Sequence, residues 1–300
     1  MRTAAKSRAA ARMRAAATVL LGVLAGAATA AGDAIERGAY LVAAGGCTAC
    51  HTVDDGGEDD YMAGGRALES PFGTFYTPNI TPDRETGIGN FTDEDFIRAF
   101  REGVAPDGSH YYPAFPYTAY AGVTDEDLLA MKAYLFDIAP VRRENRDHEL
   151  AWYASYRPLL SIWKWWYFQP GVFQPDPARD DTWNRGAYLV RHLGHCGECH
   201  TPRDLFGALD ADRELAGNPH GPEGDAIPNI TPHREDGIGR WTASDLDDLL
   251  TIGMYPDGDF VGGSMVDVVD YNTAKLTDDD RRAIIEYLRA LPPIPGPVGE

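Results

Sequence analysis

Cys47-Thr48-Ala49-Cys50-His51 and Cys196-Gly197-Glu198-Cys199-His200 place all four cysteines of the 300-residue chain in two copies of one pattern, C-x-x-C-H. Two thiols about a helical turn apart suit thioether bonds to the two vinyl groups of one haem. The histidine that follows then lies under the ring, where its imidazole binds the iron. A thioredoxin-like dithiol needs neither that histidine nor a second copy, and paired zinc half-sites sit closer together and need more ligands. The spacing therefore predicts two covalently bound haems c. Cys47 and Cys50 hold one, Cys196 and Cys199 the other, with His51 and His200 as iron ligands and no thiol left for a disulfide.

Outward from these motifs the chain is a duplication. Arg37-Gly38-Ala39-Tyr40-Leu41-Val42 recurs as Arg185-Gly186-Ala187-Tyr188-Leu189-Val190, and each copy leads into a C-x-x-C-H-Thr. Pro78-Asn79-Ile80-Thr81-Pro82 recurs at Pro228 to Pro232, Gly87-Ile88-Gly89 at Gly237 to Gly239, and Pro106-Asp107-Gly108 at Pro256 to Gly258. Gly38 and Gly186 suit a helix that another helix crosses closely. Thr124 and Thr277 suit helix N-caps followed by acids in the first turn. Leu128, Met131, Leu135 and Ile138 give one buried helical face. The Pro- and Gly-rich middle of each copy reads as loop. The expected fold is mostly α: two tandem class I-type cytochrome c domains, each a small helical bundle with long loops around its haem. The expected limits are 32–141 and 183–293, with a tail over 294–300.

Between the copies, 142–182 is rich in Trp and Pro. Trp152, Trp163, Trp165 and Trp166 lie in it with Tyr153, Tyr156, Tyr167 and Phe168. It reads as a belt that packs the two domains together; a docking patch for another subunit is the alternative.

A constant offset of 150 relates Asn79–Gly108 to Asn229–Gly258. Continued without a gap, it sets Phe115 opposite Met265 and His110 opposite Phe260. Met265 is the expected sixth ligand of the second iron, with packing as its alternative, because Met254, the other methionine of that copy, aligns with Val104. His/Met ligation raises the potential. Phenylalanine binds no iron. His110 leads as sixth ligand of the first haem, ahead of an open or water-filled position and of Met62; bis-His ligation would lower that potential. Trp241 is read as either a propionate donor or packing.

The net charge of −19 disfavours nucleic acid and anionic lipid, and suits either a basic redox partner or simple solubility. Residues 1–31 read as a signal peptide, basic to Arg14 and then apolar, with an uncleaved anchor as the alternative. Export to the periplasm follows, with membrane association only through a partner or an uncleaved N-terminus.

From about Glu36 to Pro293 the chain resembles the multihaem cytochrome c subunits of periplasmic dehydrogenases: quinoprotein alcohol dehydrogenases, flavoprotein gluconate dehydrogenases and some molybdenum hydroxylases. The resemblance rests on both C-x-x-C-H motifs, Thr77-Pro78-Asn79-Ile80-Thr81-Pro82, Tyr112-Pro113-Ala114-Phe115-Pro116-Tyr117 and Trp183 to Val190. It implies electron transfer from a dehydrogenase catalytic subunit to an oxidase or a quinone-linked acceptor. The better-known subunits have three haem domains, and many carry Met where Phe115 stands. Electron transfer is the leading function and no general acid or base is read. A dihaem enzyme with an open first haem is the alternative.

Overall fold

The computed structural model describes residues 31–53, 60–221, 224 and 226–296. The expected signal peptide lies outside them, apart from residue 31. Among the described residues no helix is long and apolar enough to cross a membrane.

The first repeat opens with α1 (31–44), then α2 (Cys47–His51). A hairpin of β1 (Ala67–Ser70) and β2 (Gly73–Tyr76) follows, then α3 (Asp93–Glu102), α4 (Tyr117–Tyr120) and α5 (Asp125–Asp137). Between the repeats lie β3 (Glu149–Leu150) and α6 (Pro158–Tyr167). The second repeat has α7 (Asp181–Tyr188), which runs on through a π-helical turn at Leu189–Leu193, then α8 (Gly197–His200), α9 (Ala243–Ile252), α10 (Ser264–Tyr271) and α11 (Asp278–Arg289).

The helix ends follow local chemistry. Thr124 and Thr277 cap α5 and α11 by accepting from Asp127 and Asp280 amides, and Thr92 and Thr242 form full capping boxes on α3 and α9. Helices α1 and α5 cross at Gly38, and α7 and α11 at Gly186. A Cβ at Gly38 would lie 1.9 Å from the Ala130 carbonyl oxygen, and one at Gly186 would lie 2.1 Å from that of Ala283. Leu128, Met131 and Leu135 are buried on one face of α5 as the periodicity requires, while Ile138, at its end, is half-buried. Buried side chains from both repeats join in one continuous apolar cluster, from Leu41 through Leu193 to Leu288.

Two expectations change. The middle of the first repeat is not all loop, because residues 67–76 form a hairpin that β3 extends to a three-stranded antiparallel sheet. Gly73 permits it: its φ is 118°, and a Cβ there would meet the Glu149 carbonyl at 2.3 Å. The aromatic segment packs the repeats together only in part. Phe173 does bridge the repeats, donating its amide to Gly122 O at 2.9 Å and packing on Tyr188 and His192. No residue of α6 is buried, however, and Trp152, Trp165 and Trp166 are exposed. The start of the segment belongs with the first repeat. Asn145 accepts from the Asn79 amide at 2.7 Å, and His148 accepts from that of Tyr76 at 3.1 Å.

Candidate functional site

Each C-x-x-C-H motif forms a short helix whose histidine is oriented from behind. His51 Nδ1–H donates to Pro78 O at 2.8 Å, and His200 Nδ1–H donates to Pro228 O at 2.7 Å. Committing Nδ1 this way leaves the Nε2 lone pair of each ring for a metal. Burial lowers both pKa values, against the opposing pull of the proline carbonyls, and so favours the neutral form of each ring.

The same repeated residues build the loop behind each histidine. Gly64 N donates to His51 O at 2.8 Å, and Gly217 N to His200 O at 2.7 Å. The threonine after each motif accepts the next loop's amide: Met62 N to Thr52 Oγ1 at 3.1 Å, Leu215 N to Thr201 Oγ1 at 3.0 Å. Asn79 and Asn229 each accept from the threonine two residues on and donate Nδ2 to Val141 O and Ile294 O, both at 2.7 Å. The Pro-Asn-Ile-Thr-Pro signature thus ties the histidine-bearing loop to the chain that leaves each repeat.

No disulfide joins Cys47, Cys50, Cys196 and Cys199. Burial pushes the Cys47 and Cys196 thiols up to about 12 and that of Cys199 to about 11, far from the low-pKa thiolate of a redox dithiol. Paired thiols, a neutral imidazole with Nε2 unbound and apolar walls fit a covalently held haem at both motifs.

The two motifs are interlocked. His195, just before Cys196, donates Nε2–H to Gly45 O at 3.3 Å and meets the Tyr120 ring edge-on at 5.1 Å. Tyr120 Oη also donates to Gly45 O, at 2.6 Å. Thr118 of α4 donates to Glu198 inside the second motif at 2.8 Å. Arg66 joins Ala49 O of the first motif, at 2.5 Å, to Asp267 of α10, at 2.6 Å. Sequence reasoning missed His195, Tyr120, Glu198 and Arg66, because nothing local marks a residue that reaches into the other repeat.

The offset of 150 holds in the backbone beyond the motif that suggested it. Val104 bridges His110 as Met254 bridges Phe260, and Tyr111 N bonds Gly103 O as Val261 N bonds Gly253 O, at 2.9 and 2.8 Å. The copies then part. Met265 lies half-buried in the first turn of α10, whereas Phe115 precedes α4 among Phe100, Tyr111, Tyr117 and Tyr120.

His110 is engaged elsewhere. Its Nδ1 accepts from the Lys164 ammonium at 2.9 Å, and its carbonyl accepts from Arg157 at 3.1 Å. Burial, and then Lys164, lower its pKa. Met62 is fully buried with φ 60°, and Leu215 has φ 62° at the matched place. Met62 therefore packs in the loop behind His51, its amide donating to Thr52 Oγ1 and its carbonyl accepting from Ile80 N. Trp241 packs edge-on against Tyr255.

Neutral imidazoles directed by carbonyls, each set beside two thiols a turn apart, define a protein that attaches haem through cysteine. A family model described as Cytochrome c matches residues 35–138. The chain is 45% identical over 263 residues to a protein of Cereibacter sphaeroides named diheme cytochrome c-type, covering 86% of each. It is 43% identical to the gluconate 2-dehydrogenase cytochrome c subunit of Pantoea cypripedii, covering 91% of this chain and 64% of that one. It is 40% identical to the cytochrome c subunit of alcohol dehydrogenase (quinone) of Gluconobacter oxydans, covering 87% of this chain and 55% of that one. The chain belongs to the cytochrome c family, and it spans less than two thirds of the length of these two dehydrogenase subunits.

Proposed function

We propose that this protein is a periplasmic dihaem cytochrome c that takes electrons from a dehydrogenase and passes them to a downstream respiratory acceptor. The observation that carries the proposal is the matched pair of directed imidazoles, His51 on Pro78 and His200 on Pro228, each beside two cysteines. Haem, once attached, supplies a one-electron couple. Cys47, Cys50, Cys196 and Cys199 anchor it, and His51 and His200 bind iron on the proximal side. Met265 supplies the sixth ligand at the second site. The first site has no methionine at the matching place, and His110 would have to release Lys164 to bind there.

The division into domains over 32–141 and 183–293, joined by 142–182 and ended by 294–300, follows the two motifs. Export by a signal peptide over 1–31 supports the periplasmic assignment. The hydrogen bonds between the motifs keep the two sites in direct protein contact, as electron exchange within the chain requires. Electron transfer is supported by relatives named as cytochrome subunits of dehydrogenases.

The test is haem stoichiometry and redox titration of exported protein. Two haems per chain by mass, and two one-electron components that a dehydrogenase reduces, are expected. An unmodified mass, or rapid peroxide turnover at a high-spin haem, would replace this reading.

A further inference from the structure

Helix α6 is amphipathic in the wrong sense for a surface helix. Its one cation, Lys164, points into the protein, donating to Glu102 O, to Gly103 O at 3.2 Å and to His110 at 2.9 Å. Its large apolar side chains point out: Leu159, Ile162, Trp165 and Trp166 are 48%, 60%, 80% and 72% exposed. Trp163 donates Nε1–H to Phe206 O at 3.0 Å, which sets a second apolar loop beside the helix, with Leu205 94% and Phe206 68% exposed. Among the described residues nothing covers this face.

Charge singles out the same region. Residues 151–175 contain no Asp or Glu, although the chain has 46. Arg157, the segment's other cation, lies over the Tyr112 ring at 5.1 Å and bonds His110 O. The α6 part of the face therefore carries no acid within an otherwise strongly acidic molecule; Arg203, held by Glu198 and Gly207 O, and the exposed Asp204 border it at the loop.

We propose that α6 and the 205–206 loop dock on the headgroup–acyl boundary of a zwitterionic lipid bilayer, with Trp165, Trp166, Leu205 and Phe206 inserted. Single side chains this exposed stand proud of the surface. A protein partner needs matched pockets for them, whereas lipid yields around each. Trp suits that depth, with an apolar ring system and one N–H donor. Both cations of the segment are occupied internally, so attachment is hydrophobic and insensitive to salt, and the acidic remainder of the chain turns it away from anionic lipid. Docking makes no use of the haems and stands apart from the redox reading.

The test is flotation of the exported, haem-loaded protein with phosphatidylcholine vesicles, followed by haem absorbance at low and high salt. Flotation that salt leaves unchanged is expected, falling about tenfold or more in Trp165→Ser/Trp166→Ser and in Leu205→Ser/Phe206→Ser. Haem absorbance and thermal unfolding identify a variant that has not folded, and the other double variant then decides. Failure of the parent protein to float would overturn the proposal. So would binding only to phosphatidylglycerol vesicles in a salt-sensitive manner, or a dimer in light scattering that both double variants dissolve.

Discussion

Tyr40 donates its hydroxyl to Asp280 at 2.5 Å, and Tyr188, its counterpart in the other repeat, donates to Asp127 at the same distance. Each aspartate is also held by the arginine of its own repeat, Asp127 by Arg37 Nε at 3.0 Å and Asp280 by Arg185 Nε at 2.8 Å. Each tyrosine oxygen in turn accepts the amide of the N-cap threonine in the opposite repeat, Thr277 or Thr124, at 3.3 Å. The Arg-Gly-Ala-Tyr repeat thus has a division of labour: arginine and glycine serve their own copy, and tyrosine fastens the copies together. Tyr40→Phe and Tyr188→Phe should each cost about 1–3 kcal/mol, because each removes a hydrogen bond to a charged group while Arg stays in place. Denaturant midpoints of the haem-loaded variants measure this. A double variant no less stable than either single one would show that the two bonds do not act as independent fasteners.

Gly38 and Gly186 face backbone carbonyls, which cannot swing aside as a flexible side chain can. Gly38→Ala and Gly186→Ala should each destabilise by about 1–3 kcal/mol or more through forced separation of the crossing helices. Thermal unfolding of the two variants checks it. Gly32→Ala, where nothing lies within 4 Å of the added methyl, is the control expected to change little.

What could be read from the chain alone was local. The thiol and imidazole spacing, the threonine caps and the crossing glycines each depend on residues a few positions apart, so the sequence displays them directly. The hairpin at 67–76 was not legible, because β3 comes from beyond the repeat and Gly73 matters only once Glu149 lies against it. The fate of α6 was hidden for a similar reason. An aromatic run reads as core until tertiary contacts show that its lysine faces in. The offset of 150 was legible too and is matched by paired backbone bridges, but it could not show that Met265 starts α10 while Phe115 joins an aromatic cluster.

Asp280 gives acid stability a definite sign. Burial opposes its ionisation, but the bonds from Arg185 and Tyr40 outweigh burial, and its carboxyl titrates below the usual range. The folded pKa lies below the unfolded value of about 3.9, so this stabilisation is complete above that value. It is lost as pH falls through the folded pKa. Asp280→Asn should therefore be clearly less stable than the parent near neutrality, and the gap should narrow as pH falls below about 4. Parallel denaturant titrations from neutral to acid pH would expose a gap that stays constant, the result this account does not allow.

Because His110 Nδ1 accepts from Lys164, its neutral ring carries the proton on Nε2 and has no lone pair left for iron, so removing His110 should leave the iron untouched. His110→Ala is expected to keep the optical and electron paramagnetic resonance spectra of both haems while loosening α6, whose Lys164 loses one of three acceptors. Faster proteolysis within 157–168 would report the loosening. Conversion of one haem from low to high spin would instead make His110 an iron ligand and require Lys164 to give way.

Met265 is the sharper ligand test, because it stands in the first turn of a helix that also holds the first repeat. Asp267, two residues on, bonds Arg66 at 2.6 Å, and Asn272 Nδ2 would lie 3.4 Å from a Cβ on Gly46. Helix α10 is thus tied to the first repeat through Arg66, and Met265→Leu keeps its bulk while removing only the thioether. One of the two redox components should then shift to lower potential and lose low-spin character, since a thioether ligand favours the ferrous state. The other component and the unfolding midpoint should stay close to the parent values. If both potentials stay put in a folded Met265→Leu protein, the methionine is packing and the second iron takes its sixth ligand elsewhere.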